Sequence, residues 1–244
     1  MSPQLTIVLP AYEEAGCLRE LLPRLKQTAD TLTADFEILV VDAQQPVDDT
    51  QHVCENNSVR HIFRNGGNGY GDAVRSGIAA AHGEYVIFMD ADGSHNPDAL
   101  EHLWSERERS DVVIGSRYVK GGETENPAIL IWMSRVVNVV YRVALGLQVR
   151  DVSNSLRLYR GSQLKQVKPA SNNFDIVEEV LIQLTFGPCQ ARVKEIPVRF
   201  ERRKAGVSKR NLLVFAASYL STLVRLIRFR HAALRVAREG TGGK

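Results

Sequence analysis

The sequence predicts an α/β protein whose central sheet is mostly parallel and is flanked by helices. Short apolar runs, each of the length of a buried strand, alternate along the chain with longer segments in which apolar residues recur at helical spacing. Such alternation is typical of βαβ units. With 244 residues, of which 44% are hydrophobic and 24% charged, the chain can bury a sizeable core.

The elements follow from this pattern in chain order. Strands are predicted at residues 5–9, 37–41, 59–63, 85–89 and 112–114, and helices at residues 14–31 and 72–82. We expect a main domain over residues 1–210, an amphipathic helix over residues 211–230 and a flexible tail over residues 231–244. The apolar face of that last helix either lies in a membrane interface or packs on the domain. Its uncharged stretch, residues 211–224, is shorter than the roughly 20 residues that a bilayer requires.

Charge and cysteine usage narrow the class of protein. Residues 201–244 hold eleven Lys and Arg against two Asp and Glu, a net charge of +9, so the first 200 residues carry −6 of the total of +3. This basic end predicts an anionic partner, either a membrane surface or a phosphate. Nucleic acid is not expected, because no recognition motif accompanies the charge. Three scattered cysteines and the lack of a visible signal peptide predict a cytoplasmic protein with reduced thiols.

Two carboxylates follow the predicted strand at residues 85–89. Asp90 and Asp92 stand where this apolar run enters a loop rich in Gly, Ser and Asn. Alternate residues of an extended chain share a face, so both carboxylates can reach one point. A hard divalent cation, Mg²⁺ or Mn²⁺, would relieve their repulsion and could hold a substrate's phosphates. The alternative is that they cap a helix that begins near Pro97.

The glycine-rich loop at residues 65–71 invites comparison with a dinucleotide-binding loop. No G-x-G-x-x-G spacing fits, because Asp72 and Val74 stand where the third glycine would be needed. We expect instead that the glycines let the backbone approach a neighbouring loop or a ligand, with Asp72 complementing the dipole of the next helix.

Several motifs in order resemble the inverting glycosyltransferases of family 2, and among them the dolichol- and polyprenol-phosphate mannose synthases. The resemblance covers residues 5–209 and is carried by LPAYEE at residues 9–14, VVD at 40–42, NGYG at 68–71, DAD at 90–92, GSRY at 115–118, LRLY at 156–159 and PVRFERRKAGVSK at 197–209. It implies the GT-A fold, a Rossmann-like domain that binds a nucleotide-sugar.

The resemblance also implies roles for individual residues. The donor would be bound by Pro10, Tyr12, Glu14, Val40, Asp42, Asp90, Ala91, Asp92, Arg117, Arg203 and Lys209, with the metal held by Asp90, Asp92 and Ser94. Asp92, Arg117 and Arg203 would be catalytic. The acceptor phosphate would meet Arg117, Arg135 and Arg203. Arg157 is either part of this set or forms an ion pair with a core carboxylate.

Three departures from the family pattern bear on specificity. The loop at residues 43–50 lacks the second Asp that usually follows Asp42, which leaves the base and ribose contacts open. The segment DVSNSLR at residues 151–157 lacks a glycine of the related D-x-T-S-G-F-R pattern. Residues 121–133 lack a basic residue for the acceptor phosphate, for which Arg135 could substitute.

The sequence therefore predicts a metal-dependent inverting glycosyltransferase. It would move a hexose onto a polyprenyl phosphate, and the first candidate for the donor is GDP-mannose, which supplies mannose. A lipid monophosphate needs no general base, because its second pKa is near 6 and it is already anionic at neutral pH. We expect a peripheral protein at the cytoplasmic face of a membrane. The alternatives are a UDP-sugar such as UDP-glucose as donor, a different acceptor, a nucleotide-sugar-binding protein without turnover, and a dehydrogenase.

Overall fold

A computed structural model describes residues 2–202 and 212–241, with the side chains of residues 212–217 and 237–241 outside the description. Its strands are β1 (Leu5–Pro10), β2 (Phe36–Asp42), β3 (Arg60–Phe63), β4 (Tyr85–Phe88), β5 (Val112–Ser116), β6 (Glu123–Thr124), β7 (Arg157–Arg160), β8 (Val193–Pro197) and β9 (Arg199–Phe200). Its helices are α1 (Ala15–Leu32), α2 (Thr50–Asn56), α3 (Tyr70–Ala80), α4 (Ala99–Ser105), α5 (Ala128–Leu145), α6 (Gly161–Leu164), α7 (Ile176–Phe186) and α8 (Leu212–Thr241).

The main sheet confirms the predicted fold class. Its seven strands run in the order β3-β2-β1-β4-β7-β5-β8, and β7 alone is antiparallel to its neighbours. The strands β6 and β9 form a separate parallel pair. Because β1, β2, β4 and β5 all point the same way, their carboxyl ends meet at one edge of the sheet.

Alternation along the buried strands divides the core into two layers. In β1, Val8 faces one hydrophobic cluster, whereas Ile7 and Leu9 face the other. The first cluster is completed by α3, α5, α7 and α8, and the second by α1, α2 and α4. Every residue of β1 is buried, as expected for a strand covered on both sides.

Apart from the C-terminal helix, the predicted helices and strands are present, with ends shifted by one or two residues. The shorter helices α2, α4, α6 and α7 and the strands β6 to β9 were not predicted. One long helix, α5, was not predicted: its apolar residues face outward as well as inward, which blurs the amphipathic pattern. By length and composition it is the only helix among the described residues that could cross a membrane, and only 17% of it is buried.

The C-terminal helix differs from the prediction in its length, and part of its apolar surface packs on the domain. It continues to Thr241, so residues 231–241 are helical where we expected a tail to begin. Tyr219, Leu223 and Leu226 of α8 are buried in the first cluster, and the Tyr141 hydroxyl donates to the Tyr219 carbonyl oxygen at 2.7 Å. These three side chains follow the alternative in which the helix packs on the domain, whereas Leu220, Val224 and Val236 stay exposed.

Candidate active site

The paired carboxylates lie at the carboxyl edge of the sheet, directly after β4. Asp90 is partly buried, and its carboxylate accepts hydrogen bonds from the Tyr70 hydroxyl at 3.1 Å and the Ser155 hydroxyl at 2.7 Å. Asp92 accepts from the backbone N–H and the hydroxyl of Ser94, at 3.0 and 2.6 Å. Helix α4 begins at Ala99 behind Asp98, so neither carboxylate caps it.

The buried side chain of His95 holds the backbone of the loop that carries Asp90 and Asp92. Its imidazole is 1% exposed; Nδ1 accepts from the Asp90 backbone N–H at 3.2 Å, and Nε2 lies 3.1 Å from the Asn154 side-chain oxygen. The first contact requires an acceptor and the second a donor, which fits the tautomer that carries its proton on Nε2. Nothing in the sequence pattern separated His95 from the loop residues around it.

Tyr70 supports Asp90 from the start of α3. Its ring stacks on Phe174 with centroids 4.1 Å apart, and burial followed by the neighbouring Asp90 charge raises the pKa of its hydroxyl. The phenol therefore stays protonated and donates to Asp90. The glycine-rich loop makes this contact possible, because Gly71 donates its N–H to the Asn172 carbonyl oxygen at 2.9 Å and leaves no room there for a side chain.

The predicted close approach of the glycine-rich loop to a neighbouring loop is thus confirmed. Asp72 lies in the first turn of α3, where we expected it to complement the helix dipole, and its carboxylate accepts from the Gly69 N–H at 3.0 Å. The loop also reaches residues 43–50, since the Asn68 side chain accepts from the Gln44 N–H at 2.8 Å.

Arg117 was predicted to grip phosphate, and the structure places it in a buried ion pair. Its guanidinium donates to both carboxylate oxygens of Asp151 at 2.8 Å and to the Ser153 hydroxyl at 3.0 Å. Burial by itself would lower the pKa of Arg117, but the hydrogen bonds that it donates to Asp151 outweigh this effect, and the pKa is raised. For Asp151 burial raises the pKa, and Arg117 reverses this to a net decrease.

Two of the three cations predicted for the acceptor phosphate meet at one aromatic ring. The Arg117 guanidinium lies 5.1 Å and the Arg135 guanidinium 5.5 Å from the centroid of the Tyr118 ring. Arg135 is exposed, whereas Arg117 is buried. The third cation, Arg203, and the predicted donor residue Lys209 lie outside the described residues. The described chain reaches residue 202 beside the carboxylates, because the Glu201 N–H donates to the Ser94 carbonyl oxygen at 2.9 Å.

The segment at residues 151–155, which departs from the family pattern, connects these groups. Asp151 and Ser153 hold Arg117, Asn154 holds His95, and Ser155 holds Asp90. Helix α5 fixes the segment from behind, since the buried Asn138 accepts from the Val152 N–H at 2.8 Å. The sequence indicated that this segment matters for loop shape, but not that successive residues would serve different partners.

The residues predicted to bind the nucleotide lie in β1 and β2 and directly after β1. Pro10 ends β1, Tyr12 is 36% exposed, and Glu14 is buried at the start of α1, while Val40 is fully buried in β2. The Asp42 carboxylate, 1% exposed, accepts from the Ala43 N–H at 2.7 Å and lies 3.1 Å from His61 Nε2. Its predicted contact with the base stays a prediction.

Arg64 is a site residue that sequence reasoning missed. It is 3% exposed and donates to the carbonyl oxygens of Ala11, Val41, Asp42, Asn68 and Gly69, which come from three different segments. Its guanidinium also lies 5.8 Å from the Tyr12 ring centroid. It therefore ties the ends of the first two strands to the glycine-rich loop and places a buried positive charge between them.

Arg157 lies deep in the core and away from solvent. It is fully buried and donates to the carbonyl oxygens of Asn154, Val177 and Val152 at 2.8, 2.8 and 2.5 Å. Its direct partners are thus backbone oxygens and not the core carboxylate that we considered, although Glu178 is close enough to feel its charge.

The donor set suits a hard divalent cation that takes only part of its coordination from protein. Asp90, Asp92 and Ser94 offer carboxylate and hydroxyl oxygens, the ligands that Mg²⁺ and Mn²⁺ prefer. Within residues 2–202 and the described part of α8, no group of three or more His, Cys, Asp and Glu could hold a metal. The residues fit a cation held by two carboxylates, whose remaining ligands are water or substrate phosphates.

Comparison with known proteins agrees with this geometry. Residues 6–167 match the family described as Glycosyl transferase family 2. A dolichol-phosphate mannosyltransferase from Pyrococcus furiosus is 30% identical over 96% of this chain and 67% of its own length. An undecaprenyl-phosphate mannosyltransferase from Micrococcus luteus is 30% identical over 83% of this chain and 85% of its own length.

Solved structures match the fold. A glucosyl-3-phosphoglycerate synthase from Mycobacterium tuberculosis, in complex with Mn²⁺, UDP and phosphoglyceric acid, superimposes with a TM-score of 0.70 at 19% identity and covers 92% of this chain and 78% of that one. The same enzyme with Mg²⁺ and UDP gives a TM-score of 0.69 at 18% identity, covering 92% of this chain and 79% of that one. The fold is therefore GT-A.

Proposed function

Because the chain belongs to glycosyl transferase family 2, we propose that this glycosyltransferase moves mannose from GDP-mannose onto a polyprenyl phosphate, with inversion at the anomeric carbon. The observation that carries the proposal is the position of Asp90 and Asp92 at the carboxyl edge of the sheet, beside the predicted donor residues. The mannosyltransferases that this chain resembles support the acceptor class.

The proposed reaction is a single displacement. A phosphate oxygen of the acceptor attacks the anomeric carbon, the bond from that carbon to the donor's diphosphate breaks, and the nucleoside diphosphate leaves. No general base is required, since the attacking phosphate is already deprotonated near pH 7. A divalent cation, when held by Asp90, Asp92 and Ser94, neutralises charge that develops on the leaving diphosphate.

The protein's own residues would orient the two substrates. Tyr70, Ser155 and His95 hold Asp90 in place, and Arg64 stiffens the nucleotide side of the pocket. Exposed Arg135 is better suited than Arg117 to bind the acceptor phosphate directly, because Asp151 already neutralises Arg117. We assign Arg203 and Lys209 to substrate phosphates on the family resemblance alone.

We also propose that the enzyme works as a peripheral protein at the cytoplasmic face of the membrane. The three cysteines Cys17, Cys54 and Cys189 are free thiols, which suits a reducing compartment. The basic C-terminal region suits an anionic lipid surface.

The test is transfer of labelled sugar from GDP-mannose, and separately from UDP-glucose, to undecaprenyl phosphate with Mg²⁺ or Mn²⁺. We expect lipid-linked product from GDP-mannose that is lost on adding EDTA. The Asp92→Asn variant should lose at least about 100-fold in rate, because the cation loses a charged ligand. Asp98→Asn, an exposed aspartate of the same loop, is the matched control and should keep its activity.

The other outcomes separate the remaining candidates. Product from UDP-glucose alone would replace the donor; the UDP-bound structural relatives make this the second candidate. Metal-dependent nucleotide binding without product from either donor would favour another sugar or acceptor, or a binding protein without turnover. Loss of all nucleotide binding would contradict the proposal, and binding of a nicotinamide cofactor would favour a dehydrogenase.

A further inference from the structure

Helix α5 exposes a continuous apolar face that none of the described residues covers. Six of its seven exposed large apolar side chains lie on one side of the helix, namely Ile129, Trp132, Val136, Val139, Val140 and Val143, whereas Leu130 is exposed away from this side. Trp132 and Val143 are 63% and 72% exposed. Contiguous apolar surfaces of this kind mark contact sites.

The opposite side of α5 is bound to the body of the domain. Asn138, Tyr141 and Leu145 are buried, and Asn138 bonds to the Val152 backbone beside the Arg117–Asp151 pair. Crossing a bilayer would detach these contacts and would bring Asn138 and the charges of Arg135 and Arg142 into hydrocarbon, which is unfavourable. The geometry therefore favours a helix that lies in the plane of a membrane surface.

The charges around this apolar face indicate what kind of surface it contacts. The sequence holds no Asp or Glu from Ala128 to Arg150, nor from Leu212 to Arg238. Arg135 and Arg142, seven residues apart, follow one flank of the apolar face, and both are exposed. On α8, Arg228 and Arg235 are exposed as well. Apolar side chains flanked by arginine, with no Asp or Glu within α5 itself, match an anionic lipid surface rather than another acidic-and-basic protein surface.

We propose that the outer face of α5 is the surface by which this protein docks on anionic membranes. The apolar side chains enter the interface, and the arginines meet lipid headgroups. Arg135 lies at the boundary between this face and the candidate active site, since its guanidinium stands over Tyr118, which Arg117 also contacts. This docking surface rests on the proposed function in one respect, which is that the acceptor lies in the membrane.

The fluorescence of a tryptophan on the docking face can report membrane binding. The chain has two tryptophans; Trp104 is 6% exposed and packs on Tyr85, whereas Trp132 lies on the docking face. Vesicles of phosphatidylcholine and phosphatidylglycerol should shift the emission of the whole protein to the blue, and brominated phosphatidylglycerol should quench it. In the Trp132→Phe variant, vesicle flotation should persist while the quenching disappears.

Two valines give a matched pair of variants. Val143 on α5 and Val236 on α8 are 72% and 70% exposed, so substitution by Asp has little effect on packing at either. Val143→Asp should lower binding to anionic vesicles about tenfold, the loss expected for one buried apolar side chain. Val236→Asp should bind like the wild type, and vesicles of phosphatidylcholine alone should bind the wild type more weakly.

These measurements need no substrate, so they are independent of the proposed reaction. If the reaction is also as proposed, Val143→Asp should transfer sugar normally to a water-soluble short-chain prenyl phosphate and poorly to acceptor embedded in vesicles. Equal vesicle binding by Val143→Asp and the wild type would overturn the inference, as would loss of binding in Val236→Asp only. A wild-type dimer that Val143→Asp converts to monomers, with no vesicle binding, would show instead that the face joins two copies of the chain.

Discussion

Asp90 is held by side chains from three other parts of the chain. Tyr70 comes from α3, Ser155 from the segment before β7, and His95 fixes the Asp90 backbone rather than its carboxylate. Groups that orient a metal ligand contribute to metal affinity although they do not touch the metal. If Asp90 holds a cation as proposed, the residues that position it should also contribute to the affinity for that cation.

The contribution of the contacts that position Asp90 can be tested by replacing His95. Replacing it by Ala leaves the Asp90 N–H and the Asn154 oxygen without their partner, which should cost about 1–3 kcal/mol of the free energy of unfolding. Metal affinity should fall about 10–100-fold, as is typical of groups that orient a ligand. Urea unfolding and Mn²⁺ titration with nucleotide present measure the two effects.

The His95→Asn variant distinguishes orientation from simple packing. Its side-chain oxygen can accept from the Asp90 N–H in place of Nδ1, so it should recover part of the metal affinity lost in His95→Ala. Equal metal affinity in the wild type and His95→Ala would show that this contact does not position Asp90.

Among the elements, the glycine-rich loop works through close contact with the loop before α7. A Cβ atom on Gly71 would lie 2.1 Å from the Ser171 carbonyl oxygen and 2.8 Å from Asn172 Cα. We expect Gly71→Ala to push α3 from that loop, to move Tyr70 from Asp90, and to destabilise the protein by about 1–3 kcal/mol as overpacking does.

Gly16 is the matched control for this prediction. It lies in α1, and a Cβ atom there would meet nothing within 4 Å. Gly16→Ala should leave stability unchanged or raise it by about 0.5–1 kcal/mol, since alanine favours a helix. Thermal and urea unfolding of both variants compare them directly; equal stabilities would refute the role given to Gly71.

Helix α5 carries the proposed docking face on its outer side and contacts residues 151–155 of the candidate active site through Asn138 on its inner side. Asn138→Ala removes the acceptor for the Val152 N–H and one donor to Asp151, and we expect a loss of about 1–3 kcal/mol in the free energy of unfolding. Sugar transfer should fall as well, because residues 151–155 hold Arg117, His95 and Asp90. Val139→Ala, next in sequence and 50% exposed, should change neither stability nor transfer to a soluble acceptor.

At the scale of the whole molecule, Glu178 makes stability depend on pH. Burial raises its pKa from 4.5 to about 8, and the charge of Arg157 offsets only part of this rise. Between these values the folded protein holds one proton more than the unfolded chain. Stability is therefore highest below the unfolded pKa and declines as the pH rises towards 8, by at most about 1.4 kcal/mol per pH unit.

Glu178→Gln should remove this dependence, because the amide resembles the neutral acid and does not ionise. Urea unfolding between pH 5 and pH 8 should show a smaller decline with pH in the variant than in the wild type. Parallel pH profiles would show that Glu178 does not ionise differently in the folded and unfolded states.

The alternation of strands and helices, the parallel sheet and the carboxylate pair after β4 could all be predicted from the amino-acid sequence. These features depend on apolar periodicity and on neighbours along the chain, which a linear pattern records. The sequence did not predict α5, because residues that face outward there are as apolar as those that face inward.

The hydrogen-bonding partner of each buried polar group could not be predicted from the sequence and is visible only in the folded structure. Arg117 lies 34 residues from Asp151, Asn154 lies 59 from His95, and Arg64 reaches back 53 residues to Ala11. A buried charge or amide must find a partner, but many residues of the right kind are available along the chain. Packing of the sheet edge against α3, α5 and residues 151–155 selects among them, because only there do donor and acceptor lie within hydrogen-bonding distance.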